Sequence, residues 1–284
     1  MSPDSVSALV RSLAFVLLFQ AAGAVFFAAL ASDLLDRSAA MTLRLQLWSA
    51  VAAVAVLSLH LALEAARLAG DYSGMIDPAM QDLVLGTSGF RAGAVQVIGL
   101  AAIALGALRL GRVYRLIAVA GAFTTGAAFL LTGHTSVHEW RAELAPLLLV
   151  HVLIVAFWFG SLLPLFAVLR REAITVAVAV LRRFSTMAML LVPIIALAGV
   201  RLLLDLAHGL PDFQSPYGEL ILAKFAGFAL LMGFATWNKM RLVPALAAGQ
   251  PDACRLLQWS ILVEFSLLVA VLSVTAVMTS FYSP

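Results

Sequence analysis

The chain has 284 residues, of which 63% are hydrophobic and 12% charged, with a net charge of +3. Soluble domains carry about a quarter charged residues, so a chain with half that share cannot cover a surface facing water; it reads as an integral membrane protein in contact with the lipid bilayer. The positive balance does not point to nucleic acid, because the basic residues stand in short clusters between apolar runs, where membrane topology places them.

A spanning helix needs about twenty mostly apolar residues. Eight runs qualify: 9–32, 45–68, 90–110, 113–133, 144–169, 185–208, 219–240 and 256–281. None has the sustained period-two alternation of a barrel strand. The expected fold is therefore all-α, a polytopic bundle of eight transmembrane helices forming one transmembrane domain. The first run follows MSPDSVSALVR, with Asp4 ahead of Arg11. Its length and the loop charges favour a retained helix over a cleaved signal peptide, although ALASD could pass for a cleavage site.

The connection after the second run, AGDYSGMIDPAMQDLVLGTSG, is acidic and holds Met75 and Met80 beside Asp71, Asp77 and Asp82. The connection after the fourth run carries His134 and His138, and the one after the sixth reads HGLPDFQSPYGE. The segment 170–184 has Arg pairs near both ends and is expected to lie in the membrane interface as a short amphipathic helix. Cys254 is the single cysteine, which leaves no intrachain disulfide and argues against thiol-based metal capture or redox chemistry.

Lys and Arg assign the sides. Arg37, Arg44, Arg109, Arg112, Arg115, Arg170, Arg171, Arg182, Arg183, Lys239, Arg241 and Arg255 surround the connections after the odd-numbered runs, twelve of the eighteen basic residues. Those connections are cytoplasmic, and both termini are periplasmic. An internal repeat is also visible: LLFQAAGAVFFAAL in the first run and VAFWFGSLLPLF in the fifth align Gly23 with Gly160. Such a match fits a four-plus-four duplication, 1–133 and 144–284, with the halves related by parallel symmetry.

All five histidines fall in the outer half. His134 is expected to close the fourth run, His138 lies in the loop behind it, and His208 ends the sixth run. His151 lies roughly 10 Å below the outer end of the fifth run, and His60 roughly 12 Å below that of the second. An ionisable group at such depth is costly and faces a partner or a cavity. Glu64, one turn from His60, reads as a metal ligand, as an orienting group behind the imidazole, or as a structural hydrogen-bond partner. Imidazole suits copper, zinc and iron, and thioether suits Cu(I), so Met75 and Met80 would help to collect a copper ion. Two histidines at matched depth, His60 and His151, would equally serve bis-His ligation of one b-type haem. Among the other membrane-embedded polar groups, Lys224 can snorkel outward, and Arg201 and Asp205 make an i,i+4 ion pair. Glu264 lies in the inner half of the last run, and Asn238 ends the seventh on the same side; these read as a structural pair or as part of a path.

At these residues the chain resembles the copper resistance D (CopD) family of bacterial inner-membrane proteins. TGHT, His151 followed by AFWFGSLLPL, RRFSTMAMLLVPIIALAGVRLLL, SPYGELILAKFAGFALLMGFATWNKMRLVPAL and LVEFSLLVAVLSVTAVMTSFYSP carry the resemblance in order, over about residues 125–284. Ser161 stands where a second glycine is usual, and Lys239 follows Asn238 where arginine is common. The resemblance implies copper handling at the cytoplasmic membrane, with a copper ion as cargo, a periplasmic copper carrier as partner, and His134 and His151 as the leading site residues. A non-transporting chaperone that supplies copper to an oxidase fits the same residues. The chain has no Walker motif and no catalytic constellation, so no enzyme activity is expected and any transport is passive, ion-coupled or driven by handover.

Overall fold

The computed structural model describes residues 2–109, 111–206, 209 and 211–282, apart from the side chains of His134 and Leu206, and contains no strand among them. In chain order the helices are α1 (Pro3–Ala31), α2 (Ala39–Ala69), α3 (Pro78–Leu85), α4 (Ser88–Leu108), α5 (Arg112–Ala127), α6 (Arg141–Arg171), α7 (Ile174–Leu206), α8 (Pro216–Trp237), α9 (Val243–Ala247) and α10 (Ala253–Phe281). A 3₁₀ turn, Ala128–Leu131, extends α5, and a π turn, Asn238–Leu242, joins α8 to α9. Eight segments of 20 to 32 residues are long and apolar enough to cross a membrane, and they coincide with the eight runs.

Capping residues set several boundaries. The Ser2, Thr87 and Ser215 side chains accept the backbone N–H groups of Ser5, Phe90 and Gly218, with Pro3 and Pro216 in the first turns of α1 and α8. Each cap satisfies a donor that has no partner within its helix.

The centre of the bundle is the crossing of α1 and α6. Of the spans, α6 is the most enclosed, with 78% of its apolar window inside the protein, whereas α8 has 11%. In lipid, exposed leucine and phenylalanine cost nothing, so helices associate through close packing, and small residues allow it. Gly23 and Gly160 meet at this crossing: a Cβ added to Gly160 would lie 2.5 Å from Gly23 Cα, and one added to Gly23 would lie 2.6 Å from Gly160 Cα. Gln20 then donates across the gap to the Gly160 carbonyl at 3.0 Å. The two glycines that align in sequence are thus each other's neighbours. Leu18, Phe27, Phe159 and Leu162 fill the surrounding core.

Cross-chain contacts group the helix ends into two sides. Arg67 pairs with Asp4 at 2.9 Å, and Arg11 donates to the Thr279 carbonyl at 3.3 Å, which puts both termini on one side. On the other, Arg183 pairs with Asp33 at 2.5 Å and Arg115 donates to Ser32 at 3.2 Å. The distribution of basic residues assigns the first side outward.

Two inner and outer segments differ from the sequence reading. Residues 170–184 do not form a separate interfacial helix: α7 begins at Ile174 and runs on without a break, with Ala177, Val178, Val180 and Leu181 buried in the core. The apolar middle of that segment packs on protein rather than on headgroups. The loop after α2 contains a 3₁₀ turn, Tyr72–Met75, and then α3.

The short turn between α6 and α7 carries a latch. Glu172 Oε1 accepts the backbone N–H groups of Asp36 (3.1 Å) and Ser38 (2.8 Å) and the Ser38 hydroxyl (2.6 Å). Burial works to raise the Glu172 carboxyl, but the Ser38 hydroxyl and these N–H groups outweigh it and hold the group below its ordinary value of 4.5. Hydrogen bonds to a charged group are worth about 1.5–3 kcal/mol each at the upper end, so Glu172→Ala is expected to lose about 2 kcal/mol of stability near neutral pH. Because the folded value is lowered, this contribution is full above the ordinary value and disappears as pH falls through the lowered one. Melting curves in detergent should converge for wild type and Glu172→Ala under acid and separate near neutrality.

Candidate functional site

The outer end of α2 holds a polar network around His60. The Ser7 hydroxyl, on α1, donates to Glu64 Oε1 at 2.9 Å and lies 3.3 Å from His60 Nδ1. A hydroxyl that gives its proton to a carboxylate accepts from the imidazole, so Nδ1 carries the hydrogen and Nε2 keeps the lone pair. Glu64 does not stand ready as a ligand. Both its oxygens accept from Arg67, at 3.0 and 3.1 Å, and Arg67 also holds Asp4. Its Oε1 is 3.8 Å from His60 Nδ1, behind the ring, which is an orienting position.

Met75 closes the 3₁₀ turn above this end of α2 and Met80 lies in α3; both are half-buried. The turn sits on the helix because Gly74 has no side chain: a Cβ there would lie 2.5 Å from the Ala65 carbonyl oxygen. Gln81 fixes the loop further, donating to the Met75 carbonyl at 2.7 Å. Aspartates shape the loop rather than gather in it, since Asp71 and Asp77 accept the backbone N–H groups of Ser73 and Ala79. The hydrogen bonds from Ser73 keep the Asp71 carboxyl below its usual range.

His134 does not close α5. The 3₁₀ extension stops at Leu131, Gly133 turns the chain at φ +77°, and His134 opens a separate 3₁₀ turn, His134–Ser136. The His134 side chain and all of His208 lie outside the described residues. His138 Nδ1 accepts the Trp140 backbone N–H at 3.1 Å, so it also serves to start α6.

His151 is placed differently. It lies ten residues after Arg141 on α6, roughly 15 Å along the helix; the backbone of Ile195 on α7 is a hydrogen-bond partner of the ring, while Nδ1 is buried with none. Gly199 of α7 makes room for the ring: a Cβ at Gly199 would be 3.3 Å from His151 Cε1. Lys224 of α8, half-buried, is the cation whose charge acts on the ring. A buried imidazole nitrogen without a partner is costly unless something else fills the vacancy in its hydrogen bonding.

On the inner side, Glu264 of α10 is 3% exposed and its Oε1 accepts from Asn238 Nδ2 at 2.6 Å. Trp158 of α6 is its other hydrogen-bond partner. The expected pair of Arg201 and Asp205 is present at 2.9 Å.

His60 thus faces α1 and His151 faces α7. Among the described residues, no group of three or more His, Cys, Asp or Glu side chains is close enough to hold a metal ion. His60 and His151 are two separate imidazoles with one nitrogen each to give, and a methionine loop lies above the first. Ser7, Gly199 and Trp158 complete these sites without having been legible in the sequence, because each acts from a different helix than the group it serves, whereas Arg67 lies one turn from Glu64 on α2, a spacing the sequence does carry.

The chain matches known families along most of its length. The copper resistance protein D profile matches residues 178–278, and the profile of the copper resistance protein D-like N-terminal domain matches residues 1–143. The match therefore includes the first half, beyond the stretch that carried the sequence resemblance. No curated protein and no solved structure matches the chain.

Proposed function

The chain belongs to the copper resistance protein D family, and on that premise we propose that it takes copper from the periplasmic side of a bacterial inner membrane through histidines in the outer half of its bundle. The observation that carries this reading is His151: an imidazole inside a span, in a place cleared by Gly199, with a buried Nδ1 that no protein group satisfies. Copper is the ion that family membership implies, and imidazole nitrogen is a suitable donor for it.

Met75 and Met80 lie on the outer loop, where a periplasmic copper carrier would dock, and thioether sulfur takes Cu(I). His60, held by Ser7 and Glu64 with Nε2 free of that network, accepts next. His134 and His138, which precede α6 in the chain, would take part in the transfer toward His151. Glu64 acts behind His60, fixing its ring, and does not touch the ion. Movement is passive, ion-coupled or driven by handover, since the chain has no nucleotide-binding motif.

Metal content together with the visible spectrum of the purified protein tests this reading. Copper bound in stoichiometric amount, with no Soret band, is the expected result. A Soret band that needs both His60 and His151 would replace copper by bis-His haem, and absence of both would refute the copper site.

A further inference from the structure

The inner half of the bundle contains a second set of buried polar atoms, remote from the outer histidines. Glu264 lies 11 residues from the start of α10, about 16 Å along the helix, which is deep in a hydrocarbon core of about 30 Å. Its carboxylate has two hydrogen-bond donors, Asn238 and Trp158, and no cation. The elements packed on α10 are α1, α6, α8, the π turn and α9. From all of them, among the described residues, no Lys, Arg or His acts on this carboxylate. Lys239 and Arg241 of the π turn are exposed, with Lys239 directed to Met189 of α7, and Arg11 of α1 is at the opposite end, on Thr279.

Two further atoms are left over in the same region. Asn238 Oδ1 is buried without a partner, although Nδ2 of the same amide donates to Glu264. Ser260 is 1% exposed, and its Oγ also lacks a partner. It stands one turn before Glu264, on the same face of α10 and toward the inner end. Asn238 begins a π turn, a local irregularity that recurs at functional sites.

A bare carboxylate explains none of this. It is acceptor-only, so it cannot satisfy Asn238 Oδ1 or balance its own charge in hydrocarbon. A carboxylic acid does both: its O–H donates to Oδ1 while Nδ2 donates to the other oxygen, closing a cyclic acid–amide pair. We infer that Glu264 is a proton-binding site in the inner half of the bundle, paired with Asn238, which exchanges its proton with the inner aqueous phase by way of Ser260. In the exchange the Glu264 O–H bond breaks, the Ser260 hydroxyl takes that proton and gives its own to water at the inner surface, and the carboxylate is reprotonated from the same water by the reverse step.

One measurement on the full chain tests the proton site. Infrared difference spectroscopy of wild type against Glu264→Gln, in H₂O and D₂O, reads the acid directly. The expected result is a protonated-carboxyl C=O band in wild type at neutral pH, shifted by D₂O and absent from the variant. Glutamine preserves the neutral pair with Asn238, so the variant should fold. Absence of such a band, or a band that never exchanges with D₂O, overturns the proton site.

Discussion

Gly160→Ala is expected to cost about 3 kcal/mol of stability, the upper part of the range for forcing an extra methyl into a packed interior. The reason is the identity of the obstructing atoms. A Cβ at Gly160 would lie 2.5 Å from Gly23 Cα, 2.6 Å from the Phe19 carbonyl oxygen and 2.9 Å from the Ala24 nitrogen. All three are backbone, so no rotamer change relieves them, and α1 and α6 must move apart. These are the two central helices, and separating them opens the core around Leu18, Phe159 and Leu162 and strains the bond from Gln20 to the Gly160 carbonyl. Gly233→Ala is the control. Nothing lies within 4 Å of its added Cβ, and alanine is the better helix former by about 1 kcal/mol. Thermal unfolding in one detergent should place Gly160→Ala well below wild type and Gly233→Ala level with it or above. A Gly160→Ala protein that melts with wild type would mean that α1 and α6 do not cross as described.

The second large effect is on copper. His151→Leu is expected to weaken copper binding by on the order of a hundredfold or more, since even groups that merely orient a ligand cost 10–100-fold when removed. The same substitution should leave stability close to that of wild type. The unsatisfied Nδ1 costs about what the ring's hydrogen bond with the Ile195 backbone contributes, so replacing the ring by an apolar side chain can be neutral. The combination distinguishes roles. A structural histidine would lose stability on replacement, by about 1–3 kcal/mol, and leave copper binding intact. Titration of copper against a competing chelator, run beside a melting curve, reads both quantities on one preparation.

The parts of this protein governed by length and composition were legible before any coordinates. Eight apolar runs became eight spans, because hydrocarbon forces every backbone polar group into a helix. Local spacing was equally readable: Arg201 and Asp205 at i,i+4 do pair. The start of α3 carried a readable signal too, since Asp77 followed by Pro78 is a helix cap and first turn, but the apolar stretch after it is too short to register in a search for spans. Residues 170–184 misled for a different reason. Arginines flanking an apolar centre look the same whether that centre lies on headgroups or on protein, and only the packing of α7 decides it.

The sites were legible only in part. The depth of His60 and His151 follows from counting residues, whereas their surroundings do not. His60 is oriented by Ser7, 53 residues away in the chain, and His151 owes its space to Gly199 on another helix. Gly23 and Gly160 aligned as a repeat, yet their mutual contact is a property of three dimensions. Glu264 and Asn238 were each visible as polar residues in apolar helices, and the π turn at which they meet was not.

The central claim is that copper enters from the outer side and passes into the bundle. Copper uptake into proteoliposomes, with the outer loops exposed and Cu(I) supplied outside, tests it most directly. The account predicts copper accumulating in the lumen beyond the amount bound to protein, and loss of that accumulation in His151→Leu. Copper that stays on the protein in stoichiometric amount, with the lumen no fuller than in protein-free vesicles, would contradict transport and leave a protein that holds copper for handover.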